Sequence, residues 1–322
     1  MDIDENNAEP KIELNCCSRK PAIELHKGSK LCKAHFIEYF ESKVFKTIRE
    51  FDLIGKKEHL GVAVSGGKDS LTVLHLLSKL SKQNPKIKLT AILINEGIKG
   101  YRDKTIIDGR EFCEKSRIEL KVYSYKEELG YTLDEILKIL DVKPCTVCGI
   151  FRRYLLNKKS RELGFTRIAT GHNLDDECQS ILMNQFNNRI AESARLGPKN
   201  GVAESSSFIQ RIKPLYLCTE KEVTAYAFLN GILKEFNECP NVAKSYRAQV
   251  RDMLNDIENK FPGTKYSVVN SFLQTLPLLK EKFKSNSPIN QCAKCSEPCS
   301  NDICNACFYL EKIELKKDIK VE

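Results

Sequence analysis

The chain has 322 residues, 41% of them hydrophobic, and a formal net charge of +9. That length suggests about two packed domains, and no apolar run approaches the ~20 residues of a membrane-spanning helix. The acidic start, Met1-Asp2-Ile3-Asp4-Glu5, is unlike a secretory signal, so a cytoplasmic protein with no membrane partner is expected, and the basic balance suits a polyanion without specifying one.

Residues 1–15 read as a loose lead-in. Cys16-Cys17 and Cys32-Lys33-Ala34-His35 then bracket a short basic segment. Cys-x-x-His is zinc-ligand spacing, so Cys16, Cys17, Cys32 and His35 are candidate zinc ligands, with Glu13 or His26 able to complete the set. This gives an N-terminal module over 1–36. Residues 36–55 read as an amphipathic helix, with Phe36, Ile37, Phe40, Val44, Phe45 and Ile48 on one face.

From residue 59 strands and helices alternate. The spacing predicts strand 60–65, helix 68–82, strand 88–95, helix 103–117, strand 119–124, helices 131–140 and 146–163, and strand 166–170. This is the pattern of an α/β doubly wound parallel sheet. Ligands in such folds sit beyond the carboxyl ends of the strands, here Ser65, Asn95, Tyr125 and Gly171.

The first of those ends carries Ser65-Gly66-Gly67-Lys68-Asp69-Ser70. A strand, a glycine turn and a helix start make an anion site: backbone N–H groups turn inward and the helix end adds partial positive charge. Lys68 adds a full charge, and Ser65 and Ser70 add hydroxyl donors. The string is not a Walker loop, because its glycines are adjacent and Asp69 separates Lys68 from Ser70. It resembles the PP-loop of the ATP pyrophosphatases, enzymes that split ATP between the α- and β-phosphates and adenylate a substrate oxygen.

The fourth strand end carries Gly171-His172-Asn173-Leu174-Asp175-Asp176-Glu177. Asn173 or Asp175 could cap the helix that follows. Asp175 and Asp176 are candidates for Mg²⁺ on the leaving pyrophosphate, since hard oxygen ligands suit that ion. Residues 187–209, with Arg189 and Arg195, read as a mobile loop. Helices are expected at about 219–229, 241–260 and 264–284. Tyr246, Arg247 and Arg251 lie near one face of the second and suit either RNA or an ordinary surface helix. The central domain is placed at 37–286.

Fourteen cysteines in a cytosolic chain seldom form disulfides, and pairing as Cys-x-x-Cys argues for metal or redox work. Cys145 and Cys148 open the helix after Pro144, where the helix end and Arg152 or Arg153 would lower a thiol pKa. Cys239, in Glu238-Cys239-Pro240, is a third thiol at a helix start. Three readings compete. The thiols could hold a four-iron cluster with one open iron, act as persulfide carrier and resolving thiol, or bind structural zinc or stand idle. Cys113, Cys178 and Cys218 read as inert buried thiols. Cys292, Cys295, Cys304 and Cys307 form two Cys-x-x-Cys pairs, a Cys₄ zinc pattern over 287–312, with Cys299 spare. The charged tail, 313–322, is expected to fray.

Taken together, the terminal cysteine modules, Ser-Gly-Gly-Lys-Asp-Ser at 65, Pro-Cys-Thr-Val-Cys-Gly at 144, Gly-His-Asn-Leu-Asp-Asp-Glu at 171 and Glu-Cys-Pro at 238 resemble the tRNA 2-thiouridine synthetases of the TtcA/TtuA group, most closely their archaeal NcsA-like branch. The resemblance covers about residues 16–310. One departure is that Cys16-Cys17 stands where the family's first module usually begins Cys-x-x-Cys.

The resemblance implies a [4Fe–4S] cluster on Cys145, Cys148 and Cys239, and zinc in both terminal modules. It implies ATP along Ala63, Val64, Ser65, Gly66, Gly67, Lys68 and Ser70. Leu93 would lie near the adenine, and Gly171, His172, Asp175 and Asp176 on the far wall. Lys68 and Asp69 join the three cysteines as catalytic candidates.

The implied reaction adenylates the C2 oxygen of a tRNA uridine and replaces it with sulfur from sulfide or a ubiquitin-like thiocarboxylate protein. Position 34 is favoured over 54, and a homodimer is expected. The rivals are a persulfide sulfurtransferase, another PP-loop adenylase such as an amidotransferase or lysidine synthetase, and a zinc-ribbon RNA-binding protein with a regulatory ATP site.

Overall fold

The structure, a computed structural model, describes residues 19–25, 29–202, 208–232, 239–241, 245–284 and 290–318. Two short antiparallel strands, β1 (Ile23–Glu24) and β2 (Lys30–Leu31), lead into helix α1 (Lys33–Glu50). The helix starts three residues before its expected position and ends five sooner. Its apolar stripe buries Phe36, Tyr39, Phe40, Val44 and Ile48. Full burial of such a side chain contributes about 1.5–3 kcal/mol.

The alternating part follows as β3 (Glu58–Ala63), α2 (Lys68–Gln83), β4 (Ile87–Asn95), α3 (Arg102–Ser116), β5 (Glu119–Ser124), α4 (Tyr125–Leu129), α5 (Leu133–Ile139), α6 (Pro144–Glu162), β6 (Arg167–Ala169), α7 (Leu174–Phe186), α8 (Ile190–Ser193) and β7 (Gln210–Ile212). The five strands run parallel in the order β5-β4-β3-β6-β7. Leu60, Val62, Leu71, Val73, Leu74, Leu76, Leu77 and Leu93 fill the core where the sheet meets its helices.

Two features depart from the expected pattern. The helix expected over 131–140 is α5, started by a capping box of Thr132 and Glu135, and α4 is an additional short helix before it, ended by Gly130 in a left-handed conformation. Strand β7 is additional. It has three residues, and its pairing with β6 makes it a strand.

The chain closes with α9 (Glu220–Leu229), α10 (Tyr246–Lys260), α11 (Thr264–Lys282), β8 (Asn290–Gln291), β9 (Pro298–Cys299) and α12 (Asn305–Asp318). Helix α9 packs on α1, where Phe40 and Tyr226 stack with ring centroids 4.4 Å apart. The tail is not frayed from residue 313. Ile313 is fully buried, and α12 packs with Phe151 and Leu155 of α6 in one apolar cluster.

The order of strands sets the site. After β3 the chain builds toward β4 and β5 on one side; β6 and β7 lie on the other. The sheet therefore changes direction between β3 and β6, and the segments after those two strands face each other across that switch point.

Candidate functional site

Residues 65–67 turn between β3 and α2. Gly66 has φ +81°, and a Cβ there would overlap the Thr105 carbonyl, so glycine is required. Ser70 Oγ donates to the Gly67 carbonyl at 2.9 Å and accepts from the Ser65 N–H at 3.1 Å, and the Ser65 and Ser70 hydroxyls lie 3.1 Å apart. The Ser65 carbonyl accepts from Arg102 Nη1 at 2.7 Å. Arg102 is itself paired with Glu96, and both are almost fully buried. This pins the turn from behind. Sequence reasoning missed both residues, although each stands just beyond a strand end or at a helix start.

Lys68 is held by two carboxylates, Asp69 at 3.0 Å and Glu220 at 3.1 Å. Burial pulls its pKa down, but Asp69 and Glu220 outweigh that and keep it above the usual lysine value. The Leu93 side chain does not line an opening. It is fully buried, and a Cβ on Gly109 would meet it at 3.3 Å, so only its backbone could meet a nucleotide. Ala63 and Val64 end the adjoining strand, with the Val64 N–H donating to the Ile92 carbonyl at 2.8 Å.

The segment after β6 closes on this turn. A Cβ at Gly171 would stand 2.8 Å from the Ser70 nitrogen, so the missing side chain allows the approach. Asn173 caps α7, its side chain accepting from the Asp176 N–H while the Asp176 carboxylate accepts from the Asn173 N–H. Asn173 Nδ2 also donates to Asp69 Oδ1 at 3.1 Å.

The expected magnesium pair divides. Asp175 turns inward, buried, where Lys265 pairs with one oxygen and the Glu220 N–H donates to the other at 2.8 Å. It is therefore a structural ion pair and no candidate for the metal. Asp176 stays at the switch point, where burial in the concave surround pushes its carboxyl up to about 7. His172 opens to the same concavity. Desolvation, then Lys213, Arg247, Arg152 and Arg211, push its pKa down to about 3, and its Nδ1 lies 2.9 Å from Thr170 Oγ1.

Cys145 and Cys148 stand on the first turn of α6, and Cys145 Sγ is 3.7 Å from the Asn241 carbonyl. That contact brings the 239–241 segment onto the start of α6. Burial and then Cys239 raise the Cys145 thiol, and burial pushes Cys148 up to about 11 against the pull of Arg152. The helix end and the arginines therefore do not lower these thiols as expected, because desolvation is the larger effect. Cys145, Cys148 and Cys239 all keep some exposure. Such a set could hold an iron–sulfur cluster whose remaining iron has no cysteine ligand.

Arg247 and Arg152 link these thiols to the phosphate turn side. Arg247 donates to the Asp176 carbonyl at 3.2 Å and to Ser180 Oγ at 3.0 Å, and its charge also reaches Cys145. Arg152 reaches both His172 and Cys148. Of the residues flagged for RNA, Arg247 thus faces α7, Arg251 pairs with Asp252 at 3.2 Å, and Tyr246 remains exposed.

The sulfur atoms of Cys292, Cys295, Cys304 and Cys307 all lie within 4.8 Å of one another. A tetrahedral Zn–S distance of about 2.3 Å requires sulfurs about 3.8 Å apart, so the set fits zinc. N–H groups of Cys304, Cys295 and Lys294 outweigh desolvation and hold Cys292 down at about 6. Cys299 turns away, toward the Asn301 carbonyl. At the other end, Cys32 is buried at the start of α1 and His35 lies one turn on. Cys16, Cys17, Glu13 and His26 lie outside the described residues. Cys113, Cys178 and Cys218 are buried in the core.

Residues 37–257 match the PP-loop domain family. The chain is 38% identical to the tRNA-5-methyluridine(54) 2-sulfurtransferase of Pyrococcus horikoshii, over 94% of each chain. It is 32% identical to the tRNA 2-thiolation protein NcsA of Haloferax volcanii, over 94% of this chain and 99% of that one. Among solved structures, the U34-tRNA thiolase NcsA of Methanococcus maripaludis, described with its [4Fe–4S] cluster, superposes with a TM-score of 0.79 at 34% identity, covering 92% of this chain and 95% of that one.

Proposed function

We propose that this chain, which belongs to the PP-loop family of tRNA 2-sulfurtransferases, activates a tRNA uridine at Ser65–Ser70 and exchanges its oxygen for sulfur at Cys145, Cys148 and Cys239. Its activity is ATP-dependent tRNA 2-thiolation. The division between two half-sites is our reading. The observation that carries it is a chain of contacts: Arg152, one turn beyond Cys148 on α6, lies 3.7 Å from Glu96, which pairs with Arg102, whose Nη1 donates to the Ser65 carbonyl at 2.7 Å.

A carbonyl oxygen is a poor leaving group. In the proposed first step the uridine O2 attacks the α-phosphate of ATP, and pyrophosphate leaves. The turn N–H groups and the Ser65 and Ser70 hydroxyls hold the phosphates, and Lys68 exchanges its carboxylate partners for them. We assign Mg²⁺ to Asp176, with Asp69 beside it, rather than to Asp175, whose carboxylate is taken by Lys265. A sulfur nucleophile then adds at C2, and AMP leaves with the original oxygen. The exchange is redox-neutral.

The three thiols fit a [4Fe–4S] cluster, which when bound supplies an open iron that can hold sulfur as a Lewis acid. The persulfide reading would need a sulfane-sulfur donor to load one of the same thiols and a second thiol to release that sulfur to C2 by closing a disulfide, which an external thiol must then reduce. We assign zinc to Cys292, Cys295, Cys304 and Cys307, and a second zinc to Cys32 and His35 with Cys16 and Cys17.

For the target we favour uridine 34, on the superposition with the U34-tRNA thiolase; the Pyrococcus horikoshii relative favours 54. The sulfur donor is sulfide or a ubiquitin-like thiocarboxylate, and the enzyme is read as a cytoplasmic homodimer.

Anaerobically reconstituted protein given ATP, sulfide and tRNA should release pyrophosphate and form 2-thiouridine, located by nucleoside mass spectrometry of digested fragments. Equal activity from zinc-loaded, iron-free protein would overturn the cluster reading. Modification at 54 alone would overturn the choice of 34.

A further inference from the structure

Three arginines gather beside the thiols, and among the described residues only Arg152 has a carboxylate near it. Arg152 and Arg153 project from the third turn of α6, and Arg211 stands at the middle of β7. A Cβ on Gly149 would meet the Arg153 guanidinium at 3.0 Å, so Arg153 folds back over the turn that carries Cys145 and Cys148. Among the described residues, no carboxylate pairs with Arg153 or Arg211. Arg152 has only Glu96, at 3.7 Å, whose charge is already matched by the buried Arg102.

The three cations act on one another. Burial, then Arg153 and Arg152, push Arg211 down to about 10. Arg152 stands one turn beyond Cys148 and 3.7 Å from Glu96, which pairs with the Arg102 that holds the Ser65 carbonyl, and Arg211 pairs beside Ile168 on the strand leading to His172, so the cluster lies between the two half-sites. Nearby Lys213 differs: it is buried and paired with Glu177 at 2.6 Å, so its charge is spent within the fold. Arg153 and Arg211 carry charge that no described carboxylate balances, and a multivalent anion would supply that balance.

The phosphates of ATP belong at the Ser65 turn. A second anion therefore has to meet the arginines. Resting on the function proposed above, the reacting uridine must lie between turn and thiols, and its own chain carries a phosphate on either side.

We propose that Arg152, Arg153 and Arg211 form a phosphodiester clamp that grips the RNA backbone next to the nucleotide being modified. Guanidinium forks suit phosphate oxygens, and such contacts position the substrate without reading its sequence.

The test is the salt dependence of tRNA binding to the full-length protein in KCl, without ATP. Removing one arginine–phosphate pair should reduce the slope of log K against log[KCl] by about 0.7–0.9. Arg153→Gln and Arg211→Gln should each lower the slope by that amount and weaken binding about tenfold at fixed salt, equally for cognate and non-cognate tRNA. Equilibrium ATP binding should not change. Arg153→Lys should keep most of the slope.

If Arg211→Gln folds poorly, Arg153→Gln carries the test alone, from an exposed position on α6. Unchanged slopes in a protein that thiolates tRNA would overturn the clamp and leave the function standing. Reduced slopes in a protein that binds tRNA but never thiolates it would support the clamp and overturn the function.

Discussion

Asn173 donates from Nδ2 to Asp69 Oδ1 at 3.1 Å, joining two residues 104 positions apart and tying the helix start after β6 to the phosphate turn after β3. Asn173 also caps α7. Asn173→Ala should therefore cost about 1 kcal/mol in helix stability and also free Asp69. Urea unfolding measures the first effect. Calorimetric titration of ATP should show weaker binding than the cap alone explains. Stability loss with unchanged ATP affinity would mean that the tie does not shape the turn.

Asp175 and Asp176 are neighbours with different expected phenotypes. Asp175→Ala leaves Lys265 buried without its carboxylate, and breaking a pair of this kind typically costs about 3–5 kcal/mol. Denaturant unfolding should show that loss. Where the variant remains folded, the magnesium concentration giving half-maximal pyrophosphate release should not move. A large magnesium shift would restore Asp175 as a ligand candidate.

Asp176 gives a pH prediction with a definite sign. Its folded pKa of about 7 lies above the ordinary 3.8. The folded state therefore holds the proton more tightly. That contribution to stability is complete below about pH 4 and is lost as pH rises through about 7. Asp176→Asn has no such loss, so it should gain on the parent by about 1–2 kcal/mol between pH 4 and 8, after allowance for partial solvent screening. Parallel denaturant curves of the metal-free proteins check this. A constant difference across that range would show that Asp176 is an ordinary carboxylate.

Cysteines 292, 295, 304 and 307 share an apolar cluster with Phe151 and Leu155 of α6. Zinc binding in small modules supplies folding free energy directly. A strong chelator should therefore lower Tm and expose residues 290–318 to protease before the central domain. The zinc released should be measurable by a colorimetric dye. Full resistance after complete metal removal would show that packing on α6 suffices.

The legible parts of this molecule were those whose signal is local. Ser65–Ser70 combines a strand, two glycines, a lysine and a helix within a dozen residues, and the paired Cys-x-x-Cys spacing reports on itself. Asp175 illustrates the opposite case. Its acidic run reads as a metal motif until Lys265, 90 residues later, is folded against it. Arg102 and Glu96 escaped notice because an ion pair between a strand end and the next helix leaves no periodic mark. Strand β7 offers one apolar residue in three and exists because β6 is there to pair with it. Likewise α12 is held by its seat on α6, which its charged sequence does not advertise.

The central claim is that activation and sulfur exchange are separable events at two half-sites. It is tested most directly by Cys239→Ala, assayed anaerobically with ATP, sulfide and tRNA, following pyrophosphate and 2-thiouridine in the same tube. The account predicts that ATP binding and tRNA-dependent pyrophosphate release persist while 2-thiouridine is absent. Thiolation at the parent level, or loss of ATP binding together with thiolation, would contradict it.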